Sequence, residues 1–180
     1  MTNDNEARAV RLESLLSGDH GGIPEEIQWN PLTTEDLLLE ACIIDVRYIS
    51  HISSVGLLLD LRTALQIDEG NTGLLVVEQD LDLKISTEKM HGPMVRTIVG
   101  SVPRVNSSAG YGIEIACMPS SLISVSGGQA YFHVGNVDGI GEAQPTLEGK
   151  VLPRTGFQSW ESSIRLVYTA ASHQSREKLR

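Results

Sequence analysis

Residues 41–62 read ACIIDVRYISHISSVGLLLDLR. Two apolar runs flank a short break containing Ser and His, and both runs alternate with a period of two. In the first run Cys42, Ile44, Val46 and Tyr48 fall on one side, and Ala41, Ile43, Asp45 and Arg47 on the other. In the second, Val55, Leu57, Leu59 and Leu61 lie opposite Gly56, Leu58, Asp60 and Arg62. The stretch predicts an antiparallel hairpin with one apolar face on the core, carrying Cys42, Ile44, Val46 and Tyr48, and one mixed face in water. On the mixed face Asp45, Arg47, Asp60 and Arg62 are placed for exposed cross-strand ion pairs, worth about 0.2–1 kcal/mol each.

The same texture continues downstream. DEGNTG at 68–73 is a turn. Strands are predicted over 73–78, through the alternating Leu81, Leu83 and Ile85, and over 94–102, where Pro103 ends the run. VNSSAGYG at 105–112 is a hairpin loop, and short strands follow at 113–118 and 122–126, on either side of Pro119. Gly127 and Gly128 turn the chain into QAYFHVGNV at 129–137, residues 138–162 are Gly- and Pro-rich loop, and 164–168 returns as a last strand. About eight strands this close together leave no room for the crossover helices of a parallel sheet. The fold class is mainly β (β-rich α+β): an antiparallel sheet forming a sandwich or a partly open barrel.

Upstream, NEARAVRLESLLS at 5–17 has helical composition, with Gly18 as its stop. Ile27, Trp29, Pro31 and Leu32 read as an extended cover on the sheet, and Thr33 or Thr34 as the cap of a short turn through LTTEDLLLE. The chain divides into an N-terminal helix or arm (1–22), a single antiparallel domain (23–170) and a polar tail (171–180). Residues 73–85 read as one long edge strand, open to pairing with a second copy, so a homodimer is expected.

The 180 residues are 41% hydrophobic and 21% charged, which excludes a disordered chain, while only 4% are aromatic, so Leu, Ile and Val must build the core. The N-terminus has no continuous apolar stretch of the secretory kind, and no run reaches the roughly 18 residues of a membrane span, so a cytoplasmic protein is expected. Cys42 and Cys117 sit in apolar runs without CxxC spacing and read as buried thiols. The net charge of −9 is lopsided: residues 1–90 hold 17 acids and 6 bases (−11), residues 91–180 hold 6 acids and 8 bases (+2). Such a chain repels nucleic acid and anionic membranes and attracts a basic partner.

No catalytic constellation stands out. His20, His51, His91, His133 and His173 show no metal-ligand spacing, and no metal or other cofactor is expected. There is no GxSxG elbow, and burial would leave either cysteine inert. Gly139-Ile140-Gly141 lacks the strand, helix and Lys of a phosphate loop. Trp29 and Trp160 read either as plugs of the sheet or as partner anchors.

The run WNPLTTEDLLLEACIIDVRY…VGLLLDLRTAL…NTGLLVVEQDLDL, from Trp29 to Leu83, resembles small sheet-rich bacterial proteins that act as immunity factors in polymorphic toxin systems. The resemblance covers about a third of the chain and carries over no site residues. It implies an intracellular protein that acts by binding. Two functions are therefore expected. The first is a non-enzymatic inhibitor that meets a basic partner protein through Glu25, Glu26, Trp29, Glu35, Asp36, Glu40, Asp68, Glu69, Asp80 and Asp82. The alternative is a β-barrel or cup that encloses a small molecule, with Tyr131 or His133 supplying polar contacts.

Overall fold

The hairpin predicted from residues 41–62 forms in the computed structural model as Cys42–Ile49 (β2) and Ser54–Asp60 (β3), joined by a 3-10 turn at Ser50–Ile52. The structure describes residues 9–20, 27–88, 95–106, 110–145 and 155–172. Ahead of the hairpin lie a strand at Ala9–Arg11 (β1) and a helix at Leu12–Leu16 (α1); after it come Thr72–Glu78 (β4), Asp82–Thr87 (β5), Arg96–Asn106 (β6), Gly110–Met118 (β7), Ser121–Gly127 (β8), Gln129–Val137 (β9) and Ser163–Ala171 (β10). The ten strands make one antiparallel, unclosed sheet in the order β1-β10-β9-β4-β3-β2-β6-β7-β8-β5.

The mainly β, antiparallel expectation holds, and its local details change in instructive ways. Ten strands replace about eight, because β1 precedes α1 where a single helix is predicted over the described part of 5–17, and because 73–85 divides. β6 does not stop at Pro103: that residue faces Ile113 of β7, and the strand runs on to Asn106. The stretch 73–85 is two strands, parted by Gln79 and Asp80 in left-handed conformation (φ 64° and 48°). β4 lies between β3 and β9, and β5 alone of the two is an edge. The turn predicted through 32–40 forms, but Asn30 rather than Thr33 or Thr34 caps its start, its Oδ1 accepting from Leu32 N–H at 2.9 Å.

A sheet of this order has two halves. β2 and β6 meet through only two facing pairs, Cys42 with Thr97 and Ile43 with Arg96. Both strands carry an irregularity beside that junction, between Ile43 and Asp45 and between Ile98 and Gly100. Bulges bend a strand and raise its twist, so the sheet turns a corner here. The halves then face each other. Val55, Leu57, Leu59, Leu75, Val77, Phe132 and Val134 from one half share a single buried cluster with Ile98, Ile113, Ile115, Ile123 and Val125 from the other.

The first half is covered on its other face as well, which corrects the one-sided hairpin. Every residue of β3 is buried. Leu58, Leu74 and Val76 pack there against Leu12, Leu15 and Leu16 of α1 and against Trp160. Five residues cannot sustain a helix in water, so burial of these leucines, at about 1.5–3 kcal/mol each, holds α1 in place. The described N-terminal segment thus belongs to the same body as the sheet, since β1 pairs with β10.

The bulge in β2 also revises which of its residues face the core. Ile43 and Val46 join the large cluster while Ile44 and Ile49 pack against the second; Tyr48 keeps the face of Val46, opposite Val55, yet is 55% exposed. The exposed ion pairs are corrected too. Asp45 accepts a hydrogen bond from Trp160 Nε1 at 2.6 Å, and the Arg47 guanidinium lies 4.8 Å over the Trp160 ring. Asp60 and Arg62 pair within one segment, in the interior. Trp160 is therefore a plug, while Trp29 is exposed.

Candidate functional site

Where β3 ends, the chain makes a loop back to β4 that carries Asp68 and Glu69, and where β9 ends it enters the loop that carries Glu142. These two loops wall a cleft of about 440 Å³, with Leu61, Ala64 and Ile67 as its apolar base and Asn71 and Asn136 beside the acids.

The loops are held from below. Arg62 has its side chain 3% exposed and Asp60 is fully buried. Arg62 grips that carboxylate with two bonds, Nε to Oδ1 at 2.9 Å and Nη2 to Oδ2 at 2.6 Å. Its remaining donors reach the carbonyls of Ile140 (2.6 Å), Ala143 (2.9 Å) and Gly156 (2.8 Å), so one side chain ties the 138–145 loop and the start of the 155–162 segment to the end of β3. Gln158 adds a bond to the Leu59 carbonyl at 2.7 Å. Only a guanidinium has donors enough for this arrangement.

The other wall rests on Asn71 and Gly70. Asn71 pairs with Val137 as a strand would, donating from Nδ2 to its carbonyl and accepting its N–H at Oδ1, both at 2.9 Å. A Cβ on Gly70 would lie 2.7 Å from the Gly135 carbonyl oxygen and 2.8 Å from Val134 Cγ1, so the chain can pass this close to β9 only as glycine.

The electrostatics follow from that frame. Arg62 lines the cleft, but its charge is matched by Asp60 and its donors are taken up by carbonyls. None of the ion pairs among the described residues draws on Asp68, Glu69 or Glu142. All three are exposed. Burial, with the Glu69 carboxylate adding to it, pushes the Tyr168 phenol well above its ordinary value, which keeps that hydroxyl neutral. The arrangement is an anionic cleft on a fixed frame.

The predicted partner residues divide. Asp68 and Glu69 line the cleft, and Glu40 adjoins the same end of the sheet: its carbonyl accepts from Thr63 Oγ1 at 2.6 Å, and the neighbouring Leu39 carbonyl from Leu65 N–H at 3.1 Å. Asp36 is in part a structural tie, its Oδ1 accepting from Ser101 N–H at 2.9 Å. Glu35 and Trp29 are exposed. Asp80 and Asp82 sit past the far end of β4, about 20 Å away along the strand, and Asp82 pairs with Lys84 at 2.8 Å. Glu25 and Glu26 lie outside the described residues. Glu142, Asn71 and Asn136 complete the cleft and were not among the predicted residues; the glycine-flanked GIGE loop is the signal that could have marked Glu142.

The large apolar cluster packs between the halves, and a pocket of about 230 Å³ lies beside it, lined by Ile43 and Val46 of one half and Ile85 and Ile123 of the other. His133 is fully buried on the other face of the first half, with Nδ1 2.9 Å from Thr169 Oγ1 and Nε2 without a partner among the described residues. His20 stacks on Tyr131 with ring centroids 3.6 Å apart and closes this corner. The described residues hold no group of three or more His, Cys, Asp or Glu side chains placed for a metal. Cys42 and Cys117 are free and buried, and burial raises the Cys117 thiol's pKa.

The fold and site define a folded-over, open antiparallel sheet protein with an anionic cleft at one end of its strands. Comparison with protein-family models, with curated proteins and with solved structures found no match to this chain. No helix among the described residues is long and apolar enough to cross a membrane.

Proposed function

We propose that the protein works by binding, not catalysis, and that it captures a basic partner protein in the Asp68–Glu69–Glu142 cleft, in the manner implied by its resemblance to immunity proteins, inside the cytoplasm. The observation that carries this reading is the sequestered cation: Arg62 lines the cleft, yet its charge is spent on Asp60 beneath the floor, leaving the three rim carboxylates free to meet a partner's Lys or Arg. A long basic side chain would lay its methylenes on Leu61, Ala64 and Ile67 and place its charged head among the carboxylates, with Asn136 as a further acceptor. The negative charge of the cleft would speed the encounter.

The test is a titration of isotope-labelled protein with an arginine-rich peptide, followed by amide chemical shifts. The expected result is movement concentrated at 67–71, 136 and 141–142, abolished by ~0.5 M salt, where the screening length is roughly 4–5 Å. Shifts spread evenly over all exposed acids, Asp80 and Asp82 included, would contradict the assignment.

A further inference from the structure

The edge of the second half points to a partner of a different kind. Among the described residues β5 is bonded on one side only, to β8, and its residues are mostly exposed. Glu88 N–H bonds to the Ser120 carbonyl, one step beyond the unbroken β5–β8 ladder. Antiparallel strands alternate the direction of their backbone groups, so Ser86, Lys84 and Asp82 turn theirs to β8 and Leu83, Ile85 and Thr87 turn theirs outward. Ile85 shares a face with Ile123 across the ladder, yet it remains 49% exposed because no described strand lies beyond it.

A lysine in the middle of an edge ordinarily deters pairing. Here Lys84 has Asp82 two residues before it on the same face, and the two side chains pair at 2.8 Å. A segment with one acid and one base in that spacing is complementary to itself when reversed about the residue between them. We infer that β5 is a homodimerisation edge: a second copy adds its own β5 antiparallel, with a two-fold axis at Leu83.

In this register Leu83 faces the partner's Leu83 and exchanges both backbone bonds with it. Ile85 faces the partner's Leu81, which covers the exposed side chain. Asp82 faces the partner's Lys84, and Lys84 the partner's Asp82, making a square of alternating charge on the outer face. Neighbouring registers fail on charge. Centring on Lys84 or on Asp82 sets like charges opposite each other, and centring on Ile85 sets Asp82 against the partner's Glu88. Pairing ends at Leu81, because Gln79 and Asp80 leave the extended conformation. β5 does not line the acidic cleft, so the dimer stands or falls independently of the proposed function and would leave both clefts open.

Sedimentation velocity across a concentration series tests it, with three samples beside the wild type. Lys84→Asp and Asp82→Lys alone each put like charges opposite each other and should weaken the dimer by roughly tenfold or more. Mixed in equal amounts, the two variants become complementary and should dimerise with each other. Both residues are exposed, so thermal melts should match wild type and exclude misfolding as the cause. A wild type that stays monomeric throughout, a dimer indifferent to the single variants, or a mixture that stays monomeric would each overturn the proposal.

Discussion

Arg62 and Asp60 make the largest single commitment in this molecule. A buried ion pair gains little over an apolar replacement, but removing one partner strands the other without compensation. Asp60→Asn should therefore cost about 3–5 kcal/mol of stability, and Arg62→Lys should cost nearly as much because an ammonium cannot reach Asp60 and three carbonyls together. Urea denaturation of the variants checks both. His133 supplies a pH-dependent term. Burial, with His20 adding to it, lowers its pKa from 6.5 to about 3. The folded protein keeps the ring neutral while the unfolded chain takes up a proton below pH 6.5. The stability conferred is complete above that pH and falls as pH drops toward 3, by up to about 1.4 kcal/mol per unit. His133→Gln should flatten that slope between pH 6.5 and 5 in the same assay. Alternation in the sequence correctly put Asp60 and Arg62 on the mixed face of their strand. It could not show that residues a hundred positions later return to bury that face.

Among the elements, β2 and the loop after β3 carry the lessons. The period-two reading located the strands from β2 onward to within a few residues, apart from running β4 and β5 together, since local alternation is a property of the strand itself. It misassigned Cys42 and Ile44 because one bulged residue shifts the alternation: Ile43 and Val46 face the large cluster, whereas Cys42 lies opposite Asp60 and Ile44 packs on the other side, and the bulge lies beside the corner with β6. The extension of β6 through Pro103 was hidden for a similar reason: proline loses a donor only where the ladder asks for one. At the loop, Gly70→Ala should cost about 1–3 kcal/mol by overpacking, because its Cβ meets backbone and a branched side chain of β9 that cannot swing away. It should also loosen the cleft wall. Thermal denaturation measures the first effect, and faster amide exchange at Asn71 and Val137 the second.

At the scale of the whole molecule, the charge asymmetry was legible and its use was not. Of the acids of residues 1–90, Asp68 and Glu69 line the cleft, whereas Asp80 and Asp82 lie past the other end of β4. Glu142 comes from the half of the chain with a net charge of +2, so no count along the sequence could have joined it to them. What selects the cleft is the frame beneath it, which neutralises Arg62, the cation that lines it among the described residues. The measurement that bears most directly on this is affinity capture from the native host's lysate at low salt, using wild type beside the Asp68→Asn, Glu69→Gln, Glu142→Gln triple variant. The account predicts that wild type retains one basic protein in stoichiometric amount, that ~0.5 M salt releases it, and that the folded triple variant fails to capture it. Equal capture by both forms, or none by wild type at low salt, would contradict the account.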